Sequence, residues 1–232
     1  MIYKKNISRT DELSPAKVAE LEELQNQVAQ SVILKNGFLS RPRFVVGIDL
    51  AFKDDLAVTA GVVMTYPDMQ KVTSRVLTHK LTFPYIPGLL VFREGPPILE
   101  ILQSLPYYSK LVFVNAHGIA HPRFCGCASH VGVLSGIPTI GVASQILCGY
   151  YDTEAMANSK SYAPLLFRNK QVGWILRSHP KNKPIVISPG HLIDLVSCLN
   201  LTKMCIRSHK LPEPLQLAHY LAVHERNSHK LG

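Results

Sequence analysis

Apolar and polar positions change period several times along the chain, and those changes outline its elements. Ser14-Pro15 has the form of a helix N-cap followed by proline at the first helical position. Val18, Leu21, Leu24 and Val28 then recur at helical spacing, which predicts an amphipathic helix over residues 15–34. Phe44 to Phe52 is apolar and branched except at Asp49, as expected of a buried strand. Leu56–Tyr66 and Val72–Thr82 are two further strand candidates. The links Lys53-Asp54-Asp55 and Pro67-Asp68 suit hairpins, so the three strands should be antiparallel neighbours. Pro84-Tyr85-Ile86-Pro87-Gly88 must be rigid and non-helical, because each proline fixes its own φ and restricts the residue before it.

Residues 89–104 read as helical, with Pro96-Pro97 imposing a break or a new start. Leu111–Val114 is a short buried strand, followed by a loop, a helix through about Gly136, and a strand over Thr139–Ala143. Residues 149–169 carry no regular pattern and are expected to be an irregular, mobile surface segment. Val172–Arg177 and Pro184–Ser188 read as strands, His191–Leu199 and Pro214–Arg226 as helices. Three antiparallel strands followed by alternating helix and strand is the order of the RNase H-like fold. The fold class expected is therefore α/β (an α+β mixed sheet), RNase H-like, with helices flanking the sheet in one domain over residues 1–232. Such an order is shared by many α+β proteins, so function must come from particular residues.

Composition narrows the field. At 47% apolar and 18% charged residues, the 232-residue chain can fill a core and is neither a disordered tail nor a coiled coil. Lys plus Arg total 25 against 16 acids, a formal charge of +9. That excess favours a polyanionic partner, since each cation near a phosphate releases a condensed counterion, although a plain soluble basic protein would carry it too. The five cysteines are odd in number and form no framework, which points to a reducing compartment and free or buried thiols. Cys125 and Cys127 are too close for an unstrained disulfide, and no second pair completes a zinc site. No signal-peptide core follows Met1, and no apolar run approaches the ~20 residues of a membrane helix. A cytoplasmic monomer with no membrane partner is expected.

Two acids stand out. Asp49 lies inside Val45-Val46-Gly47-Ile48-Asp49-Leu50, where a carboxylate is costly unless a cation or donors satisfy it. It is either a functional acid or a satisfied structural one. Glu94, in Phe92-Arg93-Glu94-Gly95, would by itself read as a solvated helical glutamate. The proline loop, by itself, would read as a turn with a core tyrosine.

Together these segments resemble the endonuclease V family. The likeness is carried by Pro84-Tyr85-Ile86-Pro87-Gly88-Leu89-Leu90-Val91-Phe92-Arg93-Glu94. It continues through Gly47-Ile48-Asp49, His117-Gly118-Ile119-Ala120-His121-Pro122-Arg123, Pro138-Thr139-Ile140-Gly141-Val142-Ala143 and Ser188-Pro189-Gly190-His191. Leu211-Pro212-Glu213-Pro214 with Leu217-Ala218-His219 closes the series. The resemblance implies a Mg²⁺-dependent endonuclease, with Mn²⁺ as substitute, that binds DNA containing deoxyinosine and acts in DNA repair. RNA stays open as an alternative nucleic acid. Asp49 and Glu94 would hold metal, position 115 would supply the third metal ligand, and His219 would stand beside them as a catalytic residue. Pro84, Tyr85, Ile86 and Pro87 would form a wedge that fills the space of an everted base. Gly88 and Leu90, with the backbone after residue 115, would line its pocket, and His121 would contact phosphate or support the site. Extrusion is needed whenever an enzyme inspects a base edge hidden in a stack.

The chain also departs from the pattern. Where the family has Asp-Gly, this sequence has Asn115-Ala116, and where the family has lysine it has Ser144. Asparagine can offer a carbonyl oxygen but no charge, and serine cannot steady a reacting phosphate as lysine does. Ala116 adds a methyl where a bare backbone is expected at the pocket. Asp194 is a candidate compensating acid or else a first-turn dipole partner. A zinc pair of His117 and His121 is disfavoured because Gly118 and Pro122 argue against a helix there. Three functions follow: an active endonuclease cutting the second phosphodiester 3′ to deoxyinosine; a weakened or silent inosine-binding relative; and, less suited to the proline loop, a general RNA hydrolase.

Overall fold

The computed structural model describes residues 13–37, 41–106, 110–157 and 161–228. The N-terminal stretch read for a signal core lies outside them. Helix α1 (Pro15–Gln30) starts at the expected cap, with Ser14 Oγ accepting from Lys17 N at 3.2 Å. It ends at Gln30 rather than residue 34, where Ser31 N bonds back to the Val28 carbonyl.

Strands β1 (Phe44–Lys53), β2 (Leu56–Thr65) and β3 (Lys71–Lys80) are successive antiparallel neighbours, as the hairpin links require. After α2 (Leu90–Ser104), β4 (Lys110–Val114) returns parallel to β1. Helix α3 (Cys127–Ser135) leads to β5 (Thr139–Ala143), parallel to β4. Then come α4 (Thr153–Ala157), β6 (Tyr162–Phe167), β7 (Lys170–Leu176), β8 (Ile185–His191), α5 (Leu195–Cys205) and α6 (Glu213–Ser228). The strands make one mixed sheet in the order β3-β2-β1-β4-β5-β8-β7-β6.

Two apolar layers sandwich the sheet. Val46, Ile48, Val63, Val112 and Val114 pack with Leu21 of α1, Ile98 and Ile101 of α2, and Val131 of α3. Val45, Val62, Leu111 and Phe113 pack with Cys198 and Leu199 of α5 and Leu215, Ala218 and Ala222 of α6. Alternate β1 side chains serve opposite layers, as the two-residue strand period dictates. All five cysteines are free, four of them buried. Among the described residues no helix is long and apolar enough to cross a membrane.

Three expectations are corrected. The segment 149–169 is not irregular throughout: it holds α4 and β6, which pairs antiparallel with β7. Pro164 obscured that strand. It is tolerated because β6 lies at the sheet edge, where a missing N–H breaks no ladder on the outer side. Pro96 and Pro97 do not break α2, which runs through them. They remove two N–H donors, but burial of Val91, Phe92, Ile98 and Ile101 on both sides of them holds the helix together. Finally, His191 ends β8, and the following helix begins only at Leu195 and runs to Cys205. Asp194 is its N-cap, accepting from Ser197 N at 2.8 Å and Ser197 Oγ at 2.9 Å. That carboxylate is used in capping, so it does not replace the missing third acid.

Candidate active site

Strand β1 outruns β4: β4 pairs with Phe44–Ile48 only, and Asn115 N closes the ladder on the Ile48 carbonyl at 3.1 Å. Asp49 is the first β1 residue past that end. On the α6 side Gly47 permits close approach, since a β-carbon there would overlap the backbone of Pro214 and Leu215. The start of α6 can therefore rest on the strand, and His219 Nδ1 comes within 2.6 Å of Asp49 Oδ2. The other carboxylate oxygen accepts from Leu50 N at 2.8 Å and from Asn115 Nδ2 at 2.7 Å. A carboxylate that is 3% exposed is thus held by three donors.

Glu94, 7% exposed, projects from α2 into the same field. Burial, and then the charge of Asp49, push its carboxyl up to about 8, with Arg93 opposing. The hydrogen bond and charge of Asp49 raise the His219 imidazole above its ordinary value, against burial and the more distant Arg226. The two acids named from sequence therefore converge from β1 and α2, with Asn115 and His219 on Asp49.

Next to them the loop Pro84–Gly88 is non-helical, with Tyr85 68% exposed at its tip. Gly88 has φ +82°, a left-handed backbone that glycine adopts without strain. A cavity of about 200 Å³ opens beside the loop, lined by Tyr85, Ile86, Pro87, Gly88 and Leu90, with His117, His121 and Leu147 among the residues opposite. Glu94 lies one turn of α2 beyond Leu90, so the cavity wall and the acid pair share a helix. His121 is 3% exposed, its Nε2 lies 3.1 Å from the Gly88 carbonyl, and burial pushes it down to about 4, so it is a neutral ring. His117 is likewise lowered by burial, and its Nε2 meets the Gln145 carbonyl at 2.8 Å.

Not every named residue reaches the cavity. Pro84 lines a neighbouring cleft with Tyr85, Arg93 and Asp54. Ala116 is buried in the apolar layer beneath α2 and α3, so its methyl packs into the core. Ser144 is exposed at the end of β5, next to the lining residue Gln145. Sequence reasoning missed Gln25, Gln145, Ile146 and Leu147 as lining residues. Only Gln25 carried a signal: it falls four residues after Leu21, on the apolar stripe of α1.

The donor set can be tested for a cation. Burial, and next the charge of Asp49, keep Glu94 protonated at neutral pH, and a divalent ion beside the two carboxyls would offset both costs. Among the described residues no three His, Cys, Asp or Glu side chains gather as a metal-holding group. Asn115 turns an amide donor toward Asp49 where a third acid would bring charge. Asp49 and Glu94 are the two side chains that could hold a divalent ion here.

Five strands in the order 3-2-1-4-5, with acids gathered at the exposed end of the central one, define an RNase H-like protein. The family description Endonuclease V matches residues 26–220. Endonuclease V of Xylella fastidiosa is 40% identical over 209 residues, 88% of this chain and 87% of that protein. Endonuclease V from Streptomyces avermitilis superposes with a TM-score of 0.82 at 32% identity, covering 96% of this chain and 97% of that one. Ciona intestinalis Endonuclease V was solved with a 24mer DNA containing an inosine followed by a ribo-adenosine. It superposes with a TM-score of 0.85 at 28% identity, covering 94% of this chain and all of that one. This chain belongs to the endonuclease V family, a family of nucleases.

Proposed function

We propose that the chain is a divalent-cation-dependent endonuclease that recognises a deaminated base, deoxyinosine, and hydrolyses the second phosphodiester on its 3′ side in DNA repair. The observation that carries this reading is the convergence of Asp49 and Glu94, buried in each other's field one helical turn from the Tyr85 cavity. The net charge of +9 suits a polyanionic substrate. The relative from Ciona, solved on inosine-containing DNA, supports the choice of lesion.

Tyr85, exposed and braced by prolines, would enter the stack while the everted base occupies the cavity behind it. Rigidity matters because a flexible wedge would lose its unstacking work to conformational entropy. Asp49 and Glu94 would hold Mg²⁺ or Mn²⁺. When bound, such an ion lowers the pKa of water and offsets charge on phosphate. Asp49 fixes the His219 ring through a 2.6 Å contact with Nδ1, which would set that ring beside the reacting phosphate as a hydrogen-bond donor.

One specific observation favours a second reading, a weakened or silent inosine-binding relative. Asn115 supplies a hydrogen-bond donor to Asp49 in place of a third negative charge. Nicking of an inosine-bearing oligonucleotide separates the two. The active reading expects wild-type cleavage that needs Mg²⁺ or Mn²⁺, stops in EDTA and is lost in Asp49→Ala. Cleavage by Asn115→Asp/Ser144→Lys with an inert wild type selects the silent reading. Cleavage that persists in excess EDTA sinks both.

A further inference from the structure

Helix α1 buries only Leu21 and Gln25, and Gln25 is polar and 1% exposed. A buried amide needs partners on both its ends. Gln25 Nε2 donates to the Cys125 carbonyl, and Gln25 Oε1 accepts from Arg123 Nε at 2.8 Å. The guanidinium then reaches two further acceptors: Nη1 donates to Glu22 Oε1 at 2.8 Å and Nη2 to the Gly88 carbonyl at 2.7 Å. His121 meets that same carbonyl at 3.1 Å, while Arg123 N donates to His121 Nδ1 at 3.2 Å. One cation thus joins α1, the segment after β4 and the loop beside the cavity.

Gly88 ends that loop. The peptide after it turns back so that Leu89 N bonds to the Ile86 carbonyl at 3.0 Å and α2 can begin. A β-carbon at Gly88 would lie 3.0 Å from Arg123 Nη2, so the guanidinium is packed against the backbone as well as bonded to it. We propose that Arg123, held by Glu22 and Gln25, is a positioning residue that fixes the Gly88 carbonyl and so sets the distance between the Tyr85 wedge and the cavity wall. The amphipathic helix α1 is the brace for this contact. Glu22 and Gln25 precede residue 26, where the family match begins.

The physical reason is the fork. A guanidinium presents donors in fixed directions and here satisfies three acceptors, two on α1 and one in the loop, whereas an ammonium on a flexible stem would keep one or two of them. With the Gly88 carbonyl released, the residue is free to change ψ, and Tyr85, three residues away, moves with it. Discrimination of the everted base should suffer before binding of the strand, because the charge that attracts phosphate, +9 over the chain, is not carried by residues 84–88. This inference rests on the reading that the cavity receives a base.

Hydrogen–deuterium exchange on the full chain and equilibrium binding of labelled single strands, with inosine or adenosine at one position, test it in wild type, Arg123→Lys and Glu22→Ala, the latter removing a partner of Arg123 that does not line the cavity. We expect amides of residues 85–90 to exchange roughly tenfold faster in both variants, with β1 and β4 unchanged. The preference for the inosine strand should fall roughly tenfold while affinity for the adenosine strand holds. Unchanged exchange of the loop in Arg123→Lys overturns the proposal. So does a uniform rise across β1 and β4 with equal loss of both strands, which marks a purely structural contact. Should Arg123→Lys fail to fold, Glu22→Ala alone decides. A wild type without inosine preference removes the recognition reading, yet the exchange result still determines whether Arg123 holds the loop.

Discussion

Asn115→Asp tests the reactive centre most directly. In the wild type Asn115 Nδ2 donates to Asp49 Oδ1 at 2.7 Å. The substitution replaces that pair with two carboxylates, which will separate to about 4 Å. There the repulsion is about 4 kcal/mol at an effective dielectric of ~20 and about 1 kcal/mol in bulk water. Asp49 is 3% exposed but Asn115 is exposed, so the effective value falls between, at about 2 kcal/mol. Loss of the hydrogen bond adds about 1 kcal/mol. At roughly 2–4 °C per kcal/mol for a chain of this size, Tm in EDTA should fall by roughly 6–12 °C. The same change completes a set of three acids, so the variant should bind a divalent ion more tightly. Mn²⁺ at about 100 times its Kd restores about 2.7 kcal/mol. Thermal unfolding of wild type and variant in EDTA, and across a Mn²⁺ titration, measures both effects. A variant that melts with the wild type in EDTA refutes the Asn115–Asp49 contact. One that stays low at every Mn²⁺ concentration refutes a cation site between Asp49 and Glu94.

Glu94 gives a pH signature. Its folded-state carboxyl is raised to about 8, so between about 4.5 and 8 the native state binds more protons than the unfolded one, and stability falls as pH rises through that window. Glu94→Gln should remove most of that slope and, without metal, stabilise the protein above pH 8 by up to roughly 4 kcal/mol. Urea unfolding at pH 5, 7 and 9 in EDTA checks it, and an unaltered slope would count against Glu94 as its source. Tyr85→Ala should shift stability by no more than about 0.5 kcal/mol, because the ring is 68% exposed, while weakening inosine-strand binding. Paired melting and fluorescence anisotropy decide: unchanged binding removes the wedge, and a large drop in Tm makes the tyrosine a structural residue.

Much of the fold was legible because it depends on local signals. The cap at Ser14, the unbroken apolar strand around Asp49 and the hairpin links are properties of a few adjacent residues. Where local signals conflicted with packing, packing won. Pro164 was compatible with a strand only because that strand lies at the edge, and Pro96-Pro97 with a helix only because apolar residues on both sides of them are buried. Both facts belong to the assembled sheet. The acids were legible in part: Asp49 stood out as a charge in an apolar run, but Glu94 was legible only through family resemblance, since its burial comes from elements distant in sequence.

The sequence by itself determined which residue types are available to the site: two acids where the pattern implies three, a proline-braced tyrosine, and an excess of positive charge. Tertiary structure decided how those groups meet. It placed Asn115 and His219 on opposite oxygens of Asp49, and tied Gly88 to α1 through Arg123. Hydrogen bonds and charge interactions depend on angstrom-scale separation, and the partners here stand dozens of positions apart in the chain. Only the packing of α2 and α6 around the end of β1 brings them within reach.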